Sequence, residues 1–67
     1  MKITLNGKSS PLNNSPVRVS DFVAGLDIGE APVLVELNGE AILTREFEEK
    51  DISEGDVVEV IRMVAGG

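Results

Sequence analysis

Apolar and polar residues alternate along Met1-Lys2-Ile3-Thr4-Leu5, the period of a half-buried strand that turns Ile3 and Leu5 to one side. Asn6-Gly7 follows, and both positions of a tight hairpin turn need φ > 0, which Asn and Gly tolerate. The return strand is poor. Pro11 and Pro16 interrupt the polar stretch Ser9 to Pro16, so it predicts a short edge piece or a loop. From Val17 the period changes. Val19, Phe22, Val23 and Leu26 fall at i, i+3, i+4 and i+7, one apolar face of a short helix. Ser20 or its neighbours are expected to cap it, and Asp21 suits the positive end of the helix dipole. Gly25 weakens the helix by about 1 kcal/mol relative to Ala. Gly29 is its expected stop, and Pro32 ends any continuation.

Val33-Leu34-Val35-Glu36-Leu37 returns to period two, with Val35 and Leu37 inward and Glu36 outward. Asn38-Gly39 repeats the hairpin signal, and Glu40-Ala41-Ile42-Leu43 pairs back. Thr44 to Asp56 reads as an acidic connection anchored only by Phe47 and Ile52. Gly55-Asp56 then turns into Val57-Val58-Glu59-Val60-Ile61-Arg62-Met63-Val64, the longest strand-like run of the chain. Hairpin, helix, hairpin, loop, strand is the order of an α+β, β-grasp (ubiquitin-like) domain. Such a domain is a mixed sheet of four to five strands packed on one main helix. Residues 1–64 form the expected domain and 65–67 a tail. The expected core is Ile3, Leu5, Val19, Phe22, Val23, Leu26, Val35, Leu37, Val58 and Val60. On the last strand, period two sends Val57, Glu59, Ile61 and Met63 to the opposite side, and Leu34 shares the outward parity of Glu36. The first and last strands of a β-grasp sheet are central neighbours, which brings Leu34, Ile61 and Met63 near one another. These three predict an apolar seat for a partner, with Glu59 and Arg62 at its polar rim.

Composition narrows the chemistry. Sixty-seven residues make one domain. A domain of this size buries only about 60% of the surface its unfolded chain exposes, which leaves little room for an internal cleft. The chain has 0 Cys and 0 His, so no Ser-His or Cys-His pair exists and no side chain holds a persulfide. Twelve acidic against six basic residues give a net charge of −6. That charge repels nucleic-acid backbones, and Phe22 and Phe47 alone make no stacking platform for bases. No apolar run approaches the ~20 residues of a membrane span, and no signal-peptide core follows Met1-Lys2. A cytoplasmic protein with basic partners, no nucleic acid and no membrane is the expectation. The acidic run Glu46, Glu48, Glu49, Asp51, Glu54 and Asp56 reads as a solvated face. Asp51 to Asp56 only faintly follows a calcium loop, its glycine one place early and its closing Glu missing.

Val64-Ala65-Gly66-Gly67 ends the sequence and supplies the candidate chemistry. Glycine lacks Cβ, so Gly66 and Gly67, with Ala65 before them, are fit to thread a narrow channel in another protein. Fully extended at ~3.3–3.6 Å per residue, four residues reach about 13 Å, enough to carry a carboxylate into a site below the surface on which the domain rests.

With these pieces in place the chain resembles the ubiquitin-like sulfur carriers, and among them the ThiS family of thiamine biosynthesis. The resemblance rests on Ile3-Thr4-Leu5-Asn6-Gly7, Val19 to Leu26 and Val35-Glu36-Leu37-Asn38-Gly39-Glu40. It continues in Thr44-Arg45-Glu46-Phe47, Gly55-Asp56-Val57-Val58-Glu59-Val60 and Ala65-Gly66-Gly67. Arg18 stands where the family usually has a capping Thr, and the segment Pro11 to Pro16 is more broken than is usual. The resemblance implies a reaction at Gly67: adenylation of its carboxylate, then conversion to a thiocarboxylate that donates sulfur for thiazole formation. It implies an ATP-using E1-like adenylating enzyme (ThiF-type), a thiazole synthase (ThiG-type) and a sulfur-donor protein as partners. The chain itself is then a cosubstrate with no catalytic residue, metal or cofactor of its own. The alternatives are a sulfur carrier for molybdopterin or cysteine formation, a ubiquitin-like modifier, or a plain interaction domain.

Overall fold

The computed structural model describes residues 1–26 and 32–63. Five strands form one mixed sheet: β1 (Lys2–Leu5), β2 (Lys8–Pro11), β4 (Val33–Leu37), β5 (Glu40–Ile42) and β7 (Val57–Arg62), in the order β2-β1-β7-β4-β5. A second, two-stranded sheet pairs β3 (Val17–Arg18) with β6 (Asp51–Ile52), and one helix, α1 (Val19–Ala24), follows β3 directly. This is the expected architecture, with the two-stranded sheet as an addition the alternation did not reveal.

Both Asn-Gly turns form as their chemistry requires. Asn6 and Gly7 have φ of 51° and 83°, and Asn38 and Gly39 have φ of 52° and 84°. They close β1 on β2 and β4 on β5, each antiparallel. The broken stretch after Lys8 still yields a four-residue strand at the sheet edge. Pro11 is its last residue, where a missing N–H costs least.

The last strand lies in the middle of the sheet, parallel to β1 on one side and antiparallel to β4 on the other. Its alternation sorts the two faces. Val58 is fully buried and Val60 half-buried against the core, while Val57, Glu59 and Ile61 are exposed. Ile3, Leu12, Val19, Val33, Val35, Ile42, Phe47, Ile52 and Val58 make the core, with Leu5, Phe22, Val23, Leu37 and Val60 packed around it. Val33 shares the inward parity of Val35. Leu12, Phe47, Ile42 and Ile52 come from segments whose patterns are too short to assign a face.

The helix is shorter than its apolar face suggested. It ends at Ala24, and the Gly25 N–H closes it onto the carbonyls of Asp21 and Phe22. Leu26, expected on the core face, lies beyond the helix end and is half-buried. The expected stop at Gly29 falls outside the described residues. No side chain caps the helix start. The Val19 and Ser20 N–H groups donate instead to the backbone carbonyls of Lys50 and Phe47, at 2.9 Å each. These donors, unpaired within any helix, are satisfied by a segment about thirty residues away in the chain.

Candidate functional site

The seat predicted from parity is assembled by strand register. Leu34 on β4 stands directly opposite Ile61 on β7, and the Met63 N–H donates to the Pro32 carbonyl at 2.9 Å, extending the pair of chains by one step. Ile61 is 47% exposed and Met63 48%, whereas Leu34 is half-buried. The register continues to β5, where Val35 pairs with Ile42. One step further, Leu43 shares the outward side of Leu34, and it is 49% exposed. Leu43 therefore extends the apolar row to the residue just past the end of β5. Leu43 is not among the residues that the sequence pattern assigns to the seat; register sets it beside Leu34.

Glu59 stands on the same face, one pair along the strands from Ile61 and directly opposite Glu36. Arg62 does not sit beside it. Arg62 pairs with Val33 and has the parity of Val58 and Val60, so it borders the row from the helix side of the sheet. The two expected rim residues therefore stand on opposite sides of the sheet, because adjacent residues of a strand point to opposite faces.

Two asparagine side chains hold β7 where its partner strands turn away. The Asn6 carboxamide accepts from the Val60 N–H at 2.9 Å and donates to the Val60 carbonyl at 3.3 Å. Its own N–H donates to the Val58 carbonyl at 2.9 Å. The side chain thus continues the β1 hydrogen-bond row past the end of β1, toward the chain terminus. At the other end, Asn38 Oδ1 accepts from the Val57 N–H at 2.9 Å, and its Nδ2 donates to Asp56 Oδ1 at 3.2 Å. Both turn residues serve as clamps on the strand that leads into the tail.

Gly67, Gly66 and Ala65 lie outside the described residues, as does Val64, so the expected threading tail is not placed by the structure. Among the described residues, the acidic run brings no three His, Cys, Asp or Glu side chains together as a metal site. No helix among them is long and apolar enough to cross a membrane.

Comparison with known proteins gives the same picture over the full length. The profile of the ThiS family matches residues 3–67. The sulfur carrier protein ThiS of Bacillus subtilis is 29% identical over 65 residues, covering 97% of this chain and 98% of that protein. The protein of the same description from Thermus thermophilus is 34% identical over 65 residues, with the same coverage of 97% and 98%. A crystal structure of the thiamine biosynthesis protein ThiS from Geobacter metallireducens superposes with a TM-score of 0.86 at 33% identity, covering 100% of both chains. Sequence pattern, sheet order and these full-length matches agree: the chain belongs to the ThiS family of sulfur carrier proteins.

Proposed function

We propose that Gly67 is the reactive residue and that partner enzymes perform all of the chemistry. A carboxylate is a poor electrophile, because resonance spreads its charge and oxide is a bad leaving group. An E1-like adenylating enzyme (ThiF-type) solves this. The Gly67 carboxylate attacks the α-phosphorus of ATP, pyrophosphate leaves, and the resulting acyl-adenylate carries AMP as a good leaving group. The persulfide of a donor protein then displaces AMP to give an acyl disulfide. A thiol cleaves its S–S bond, forming a disulfide with the donor sulfur and leaving a thiocarboxylate on Gly67. Sulfur is softer and more nucleophilic than oxygen, so a thiazole synthase (ThiG-type) takes it up. ATP belongs to the enzyme, and this chain needs no cofactor. A cytoplasmic setting suits the ATP supply.

The observation that carries the reading is the family match running through residue 67, together with a chain of 0 Cys and 0 His in which sulfur has no other place to bond. The apolar row supports where the enzyme sits. Ile61, Leu34 and Leu43 cross the exposed face of the sheet, with Met63 on the strand that leads toward the tail. Apolar side chains at the centre and charges around them are the composition of a docking surface. The adaptable Met side chain suits a carrier that serves two enzymes.

The test is ATP–pyrophosphate exchange catalysed by the adenylating enzyme on three chains: the full sequence, one lacking Gly67, and one carrying Ile61→Asp and Met63→Asp. Exchange is expected with the first, absent with the second and strongly slowed with the third, all three remaining folded. Exchange on the shortened chain would refute the terminal chemistry. Unchanged exchange on the double variant would remove the docking row and leave the terminal chemistry standing.

A further inference from the structure

We propose that Glu36 and Glu59 form a recognition site for an arginine of the adenylating enzyme, and that the same pair destabilises the free protein. The proposal rests on the reading of the sheet face as the docking surface and adds to it the chemistry of the partner. Glu36 and Glu59 are directly opposite each other in the antiparallel β4–β7 pair. Residues so placed have Cβ atoms about 4.5–5.5 Å apart, and like charges there oppose strand pairing. Among the described residues neither carboxylate forms an ion pair. All six Lys and Arg lie within the described residues, where the one ion pair is Arg18–Asp51, far from this face. Strand β5 sets Ala41 beside Glu36, a side chain too small to cover it.

The adjoining pair is Leu34–Ile61, one repeat of about 7 Å along the strands. Apolar row and paired carboxylates together match the shape of an arginine, whose stem lies on hydrocarbon while its planar fork of N–H donors meets two carboxylates. An apolar or acidic partner would have to bury two unpaired like charges, which is strongly unfavourable. A second copy of this chain would bring four carboxylates together, so the pair also guards an exposed apolar row against self-association. With a net charge of −6, the chain as a whole attracts a cationic face.

The experiment compares Glu36→Gln, Glu59→Gln and Glu59→Lys with Glu49→Gln, an exposed acidic residue of the 44–56 connection whose change removes the same charge elsewhere. Thermal unfolding and affinity for the purified adenylating enzyme are both measured. The two Gln variants on the face are expected to raise Tm by about 1–8 °C and weaken docking at least about tenfold. Glu59→Lys, which pairs with Glu36, should raise Tm further and weaken docking more. Glu49→Gln should leave docking within about twofold of the unaltered chain. Tm unchanged or lowered by the Gln variants, or docking affected no more than by Glu49→Gln, overturns the proposal. Ile61→Asp separates the two readings. If it weakens docking while the Gln variants do not, the arginine site fails and the apolar seat stands; if none of them matters, both fall.

Discussion

Asn6 and Asn38 act on the central strand as short pieces of backbone, and their effect is measurable residue by residue. Asn6→Gly keeps the positive φ and removes only the carboxamide with its two bonds to Val60. The expected loss is about 1 kcal/mol, small because the site is exposed. Native-state hydrogen exchange at the Val60 amide should quicken, while the Thr4 amide, bonded to the Asp56 carbonyl, should keep its protection. Unchanged exchange at Val60 would mean that water replaces the carboxamide without loss. The neighbouring core positions differ by burial. Val58 is 0% exposed, so Val58→Ala should cost about 1–3 kcal/mol, a large share of the stability of a domain this size. Val60 is half-buried, so Val60→Ala should cost less in the same denaturant titration. The reverse order would show that the phase of β7 is misassigned.

At the level of elements, the β3–β6 sheet and the start of α1 form one unit. Ile52 is fully buried, and the neighbouring Phe47 and Lys50 carbonyls receive the first helical N–H groups. The Arg18 side chain ties that segment down through Asp51 at 2.8 Å and through the Glu48 carbonyl. Packing should dominate over charge here. Ile52→Ala is expected to cost about 2–5 kcal/mol in chemical unfolding, because it leaves a cavity. Arg18→Ala should cost under about 1 kcal/mol, since both partners of its ion pair are nearly half-exposed. An Arg18→Ala cost equal to that of Ile52→Ala would contradict this ordering. The same unit marks where the sequence stops being legible. Strands of four to six residues with clean alternation, such as β1, β4 and β7, declare their faces, and Asn-Gly declares its turns. Val17–Arg18 and Asp51–Ile52 are too short to show a period, and their pairing joins segments more than thirty residues apart. Helix caps are usually local side chains, whereas here tertiary carbonyls take the first helical N–H groups. Parity placed Leu34, Ile61 and Met63 on one face. Leu43 and the Glu36–Glu59 pairing needed the register between strands, which alternation within one strand cannot give.

Across the whole molecule, the sheet separates two tasks. One face is closed by α1 and the β3–β6 unit around a core of aliphatic residues with Phe47. The other is open, with an apolar row and an acidic pair beside the strand that runs toward the terminus. On the proposed reading the side chains carry no reactivity, and the folded body has only the task of being held. That division predicts that exchanging surface residues of the open face alters how fast Gly67 is charged, while the site of charging stays the same. The most direct measurement is intact-mass and fragment-mass analysis of the full chain after incubation with the adenylating enzyme, ATP and a sulfur donor. The account predicts a mass gain equal to one oxygen replaced by sulfur, located on Gly67 and dependent on ATP. Sulfur found on any other residue, or incorporated without ATP, would contradict it.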